Sequence, residues 1–141
     1  MPMKVEDLIK SSVPRVKEGA KSAVINSVKP SVSRDGRARI VCVSLTRADL
    51  DGTPKDRNKI RKYKQTVESL EPEKRLRLAY VKVSCTCDDY WATWEYALHR
   101  KGAADIKFSN GEKPIDKNPK LIPGVCKHLY RVLMGIKTSK V

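Results

Sequence analysis

The sequence predicts an α+β fold: a small antiparallel β-hairpin or sheet with two or three helices, led by a basic helical arm. Three observations carry this. β-branched runs bounded by turn residues alternate with segments whose apolar residues recur at helical spacing. Ligand-type residues stand as two short pairs, Cys85-Thr-Cys87 and Cys126-Lys-His128. Thirty Lys and Arg oppose sixteen Asp and Glu, and much of that excess lies before the first pair.

The elements follow in chain order. Ser12-Ser-Val-Pro14 starts a helix, with Pro14 in the first turn. Val16, Ala20, Ala23, Val24 and Val28 then fall at helical spacing, and Lys29-Pro30 closes the segment. Arg15, Lys17 and Lys21 lie off that stripe, which suits either a basic arm that docks elsewhere or an ordinary surface helix. Residues 31–37 form a turn-rich connector. ARIVCVSLT, residues 38–46, is a strand. After loop chemistry at Asp51-Gly-Thr-Pro54, the cations Lys55, Arg57, Lys59, Arg61, Lys62 and Lys64 lead into a strand through Val67–Leu70. Glu71–Lys74 is a turn, and Arg75–Cys85 is the hairpin partner. Asp88 caps a helix to Lys101 that Gly102 stops. Residues 103–123 are irregular, with a tight turn at Asn110-Gly111. The last helix runs over Gly124–Met134 and ends at Gly135, before a basic tail. The chain thus divides into an arm and connector, residues 1–37, and a single domain, residues 38–141.

Composition bounds the function. The chain has 141 residues, 40% of them apolar, but only one Phe, two Trp and five Tyr, so its core is thin for its length. A bound metal stabilises such a chain more than a larger one. The net charge of +14 implies a polyanionic or acidic partner, or else serves solubility. The start, Met-Pro-Met-Lys-Val-Glu-Asp, has neither the positive region nor the apolar run of a signal peptide. No stretch approaches the ~18 apolar residues of a membrane span. The expected setting is a reducing cytoplasm, where cysteines serve as metal ligands more often than as disulfides.

Zinc takes four soft or borderline ligands in a tetrahedron, at about 2.3 Å for sulfur and 2.0 Å for nitrogen. Cys85 and Cys87 close a strand, where side chains at i and i+2 share a face. Cys126 precedes the last helix, and His128 lies in its first turn. All four can converge on one structural Zn2+. Cys42 within IVCVSL reads as a buried apolar residue. His99 is an alternative fourth ligand, and a disulfide to Cys126 is open in an oxidised protein.

Cys-x-Cys, a spacer and Cys-x-His resembles the SWIM-type zinc finger. Asp88-Asp-Tyr90 and Gly124-Val-Cys-Lys-His-Leu129 agree with it over residues 76–135. The resemblance implies Cys85, Cys87, Cys126 and His128 as ligands on a ββα core, and protein or DNA contacts in place of catalysis. The spacer is longer than usual. This enlarged version resembles small zinc-binding virion proteins of tailed bacteriophages. That likeness implies a part of the head, neck, tail or baseplate, found in the virion or the host cytoplasm.

Catalysis lacks its parts in the sequence. Four protein ligands leave zinc no position for water. The deaminase pattern, Gly-rich phosphate loops and the nucleophile elbow do not occur. The expectation is therefore a non-enzymatic protein with no small-molecule substrate, whose partners are other proteins of a larger assembly. The alternative is a sequence-nonspecific DNA or RNA binder. Its phosphate contacts would come from Lys55, Arg57, Lys59, Arg61, Lys62 and Lys64, with Tyr63 and Tyr90 available for stacking. Those cations also fit the solvated side of an edge strand.

Overall fold

The computed structural model describes residues 2–32, 38–47, 60–71, 74–87, 89–107 and 117–138. Five strands form one antiparallel sheet: β1 (Met3–Lys4), β2 (Ala23–Val32), β3 (Ala38–Arg47), β4 (Ile60–Ser69) and β5 (Tyr80–Cys85). Their spatial order is β1-β5-β4-β3-β2, a meander with the short β1 added beyond β5. The hairpin expected before Cys85 is the pair β4–β5, with Gln65 opposite Cys85 and Val67 opposite Val83.

Register sorts the residues onto two faces. Successive strand residues point to opposite sides, so Cys42 and Ser44 share a face with Gln65, Val67, Val83 and Cys85. All six are buried. Against this inner face pack the helices α1 (Val5–Lys10), α2 (Pro14–Gly19) and α4 (Lys127–Thr138), while α3 (Glu95–Arg100) follows a π-helical turn over Tyr90–Trp94. The architecture is α+β, in two layers.

The N-terminal segment corrects the expectation in detail. Helix forms only over Pro14–Gly19, followed by a 3-10 turn at Ala20–Ser22, and Ala23–Val32 is a strand in place of the expected helix. Val16 and Ala20 are buried as the helical stripe requires. Beyond them, Val24, Ile25 and Val28 are β-branched and gain a long ladder with β3, which outweighs the accidental helical period. A register shift between Ile25 and Ser27 and the missing N–H of Pro30 are both tolerated because β2 is an edge strand. The helix α1 is an addition to the expected elements. Its Val5, Leu8 and Ile9 fall at i, i+3 and i+4, all buried, and the Asp7 carboxylate accepts a hydrogen bond from the Lys4 backbone N–H at 3.0 Å. Residues set apart as an arm thus supply both outer strands, and Val5, Leu8, Ile9 and Val16 join the same core as Leu129 and Leu133.

Three further boundaries move, the first being the start of the last helix, at Lys127 in place of Gly124. The β5 strand begins at Tyr80, because Arg75–Ala79 coils into one turn with Ala79 N–H bonded to Arg75 O at 3.0 Å. The helix α4 continues past Gly135 to Thr138. Burying Ile136 is worth about 1.5–3 kcal/mol, more than the ~1 kcal/mol a helical glycine costs. Among the described residues, no helix is long and apolar enough to cross a membrane.

Candidate metal centre

Cys85 is the last residue of β5. Thr86 continues the ladder: its N–H bonds Lys64 O at 3.1 Å, and its hydroxyl accepts from Lys64 N–H at 3.0 Å. Held on the outer side by that pair, Thr86 leaves Cys85 and Cys87 directed to the inner side. Cys126 and His128 approach from the start of α4. The ligand atoms of Cys85, Cys87, Cys126 and His128 all lie within 4.8 Å of one another, and the four residues are buried. A zinc tetrahedron with ~2.3 Å bonds has edges of roughly 3.8 Å, so a small contraction onto an ion completes the site. None of the cysteines is in a disulfide.

The segment before Cys126 is held tightly. The Asn118 side chain donates from Nδ2 to Thr93 O (3.0 Å) and Ile122 O (2.9 Å), and Oδ1 accepts from Ile122 N–H. Gly124 then passes so close to the indole of Trp94 that a Cβ there would sit 2.8 Å from Cζ3. Trp94 is itself anchored. Its Nε1 donates to Asp89 at 3.1 Å, and the same carboxylate accepts from Thr93 and from Arg15 of α2. The helix α2, the spacer helix and the ligand loop thereby share one polar knot.

Two groups support the sulfurs. Gln65, fully buried on β4, donates from Nε2 to Cys85 Sγ at 3.4 Å, and Leu129 N–H approaches Cys126 Sγ at 3.5 Å. The ring of Tyr63 tilts against that of His128 with centroids 4.6 Å apart. Burial works to raise the Cys85 thiol. Hydrogen bonds from Cys126, Cys87 and Gln65 outweigh it and bring Cys85 down to about 4. Burial and the neighbouring Cys85 push Cys126 well up. For Cys87 the bond with Cys126 lowers the thiol, but Cys85 and burial outweigh it and leave it raised. A divalent ion is what lets all three ionise together.

All four ligands expected from the sequence come together. Cys42 is buried and outside the cluster, its thiol raised by burial. His99 is also outside it, its Nδ1 3.2 Å from Ala104 O. Of the expected cation run, Lys62 and Lys64 are exposed on β4, Arg61 lies in β4 opposite Thr46, and Lys55, Arg57 and Lys59 fall outside the described residues. The residues expected to stack on bases are taken by the interior: Tyr90 is buried and donates to Val83 O at 3.0 Å, and Tyr63 packs on His128. Gln65 and Asn118 escape a reading of the sequence. The one signal for Gln65 is its place in alternation with the apolar Val67.

No family model, no curated protein and no solved structure matches this chain. Function therefore rests on the geometry. The Cys/His cluster is consistent with one structural metal ion.

Proposed function

We propose that the chain is a non-enzymatic, zinc-stabilised assembly protein that acts through contacts with other proteins, as the small tailed-phage virion proteins it resembles do. The observation that carries this is the burial of four protein ligands between a strand end and the start of the closing helix. Three thiolates and one imidazole favour zinc over the hard cations. Four protein donors close the coordination sphere, so the ion joins elements and activates no water. The likeness to the SWIM-type finger, on the four ligands and the residues around them, points the same way.

Sedimentation of a native lysate tests the assembly role. The chain is expected in fast-sedimenting particles at a fixed copy ratio, and a Cys126→Ser chain is expected to be missing from them. Wild-type protein found solely in the slow, free fraction would remove this reading.

A second reading, sequence-nonspecific nucleic-acid binding, is favoured by one observation: Lys62 and Lys64 are exposed side by side along β4 and form no ion pair with a described residue. A part lying near a packaged genome would do both.

A further inference from the structure

The helices cover one side of the sheet, and no described helix covers the other. The strand register shows what that open side carries. Val41 and Val43 of β3 point outward, since Cys42 and Ser44 point into the core. Lys29 of β2 is the partner of Val41, Lys64 of β4 is the partner of Val43, and Lys62 is the partner of Leu45. Further along the same face, Arg39 is paired with Glu68, and Glu68 with Lys82. The register therefore gathers five cations from four strands that are far apart in sequence.

They are not equivalent. Arg39 is half-buried, with its Nε donating to Ser31 Oγ at 3.2 Å, and Lys82 forms an ion pair with Asp105 at 2.9 Å. The acids of this face, Glu68 and Asp105, thus lie at the Arg39–Lys82 end. Beyond that row, Lys29 in the next one and Lys64 and Lys62 further along stand exposed without an acidic partner among the described residues. Lys62 and Lys64 are two strand residues apart, about 7 Å, comparable with the separation of neighbouring phosphates on one strand. Between the cations lie Ser27, Thr66 and the half-exposed Val41 and Val43, with no acid among them. Tyr80, the aromatic side chain of this face, sits at the far edge with Lys4 Nζ 5.2 Å from its ring centroid.

We infer that the open face of the sheet, at the end formed by Lys29, Lys62 and Lys64, binds the phosphodiester backbone of a nucleic acid without reading its bases. Charge complementarity selects the occupant: a sparse triangle of ammonium groups, none paired with an acid among the described residues, matches a string of phosphates. The absence of an aromatic side chain near that triangle, among the described residues, removes base stacking. This rests on the nucleic-acid reading above and deepens it. The relevant cations are those the sheet collects, Lys29 of β2 together with Lys62 and Lys64 of β4.

The test compares two triple variants with equal loss of charge. Lys29→Gln/Lys62→Gln/Lys64→Gln alters the open face. Lys17→Gln/Arg131→Gln/Lys137→Gln alters exposed positions of the helical layer. Binding of a labelled 20-nucleotide DNA, single-stranded and as a duplex, is followed by anisotropy across a salt series, with folding checked by circular dichroism. The sheet variant is expected to bind on the order of tenfold more weakly at low salt. Its log–log salt slope on duplex is expected to fall by about 0.9 for each phosphate that is no longer neutralised. The helical variant is expected to track wild type. No binding of either DNA by wild type at low salt overturns the nucleic-acid reading and this inference with it. Binding that both variants weaken equally overturns the inference alone, since net charge would then suffice.

Discussion

Gln65 donates one hydrogen bond to the Cys/His cluster, and its role shows how far single residues can be read. Cys85, Cys87, Cys126 and His128 are legible from spacing, because each pair is local and the residue types are rare in this chain. Gln65 is twenty residues from Cys85, and only the β4–β5 register brings them together. Groups that support ligands orient them and tune their basicity, and their loss costs about 10–100-fold in metal affinity. Gln65→Met keeps the volume and removes the donor. Its zinc affinity, measured by competition with a chromophoric chelator, is expected to fall within that range with the fold unchanged. Affinity equal to wild type would show that the 3.4 Å hydrogen bond contributes nothing to the site. Tyr90, which the sequence offers for stacking, likewise depends on tertiary placement: the turn after β5 folds it back to bond Val83 O inside the core.

Elements are legible where a single period governs them. The strands β3 and β4, the helix after Asp89 and the closing helix all carry one clear pattern. Ala23–Val32 carries two, since Val24 and Val28 satisfy a helical stripe while the β-branched content suits a strand. The free ladder positions on β3 decide between them, and those are invisible in the local sequence. Glycine illustrates the same point at two sites. Gly124 is pressed against Trp94, so Gly124→Ala forces the indole or the ligand loop to move and is expected to cost about 1–3 kcal/mol. Gly135 is exposed inside α4 with no atom within 4 Å of an added Cβ. Gly135→Ala is expected to stabilise by up to about 1 kcal/mol. Urea unfolding of the metal-loaded protein checks both. Shifts of the same sign would contradict the packing of the ligand loop described here.

At the scale of the whole molecule, the cluster sits where the two layers meet. Cys85 and Cys87 come from the end of β5 and just beyond it, Cys126 and His128 from the start of the closing helix, and the knot at Asp89 ties in α2 through Arg15. A metal there cross-links elements that otherwise share a modest core of Val, Leu and Ile with few large aromatic side chains. The N-terminal segment belongs to that arrangement. Its charge pattern suggests an arm, but charge describes the exposed side of Val5–Gly19 and says nothing of the buried Val5, Leu8 and Val16 beneath. Zinc K-edge absorption on freshly purified protein, with metal counted by mass spectrometry, examines the cross-link itself. One zinc per chain, bound by three sulfurs at about 2.3 Å and one nitrogen at about 2.0 Å, is the expected result. A chain that folds fully with no metal, or whose clustered cysteines are joined as a disulfide, would contradict it.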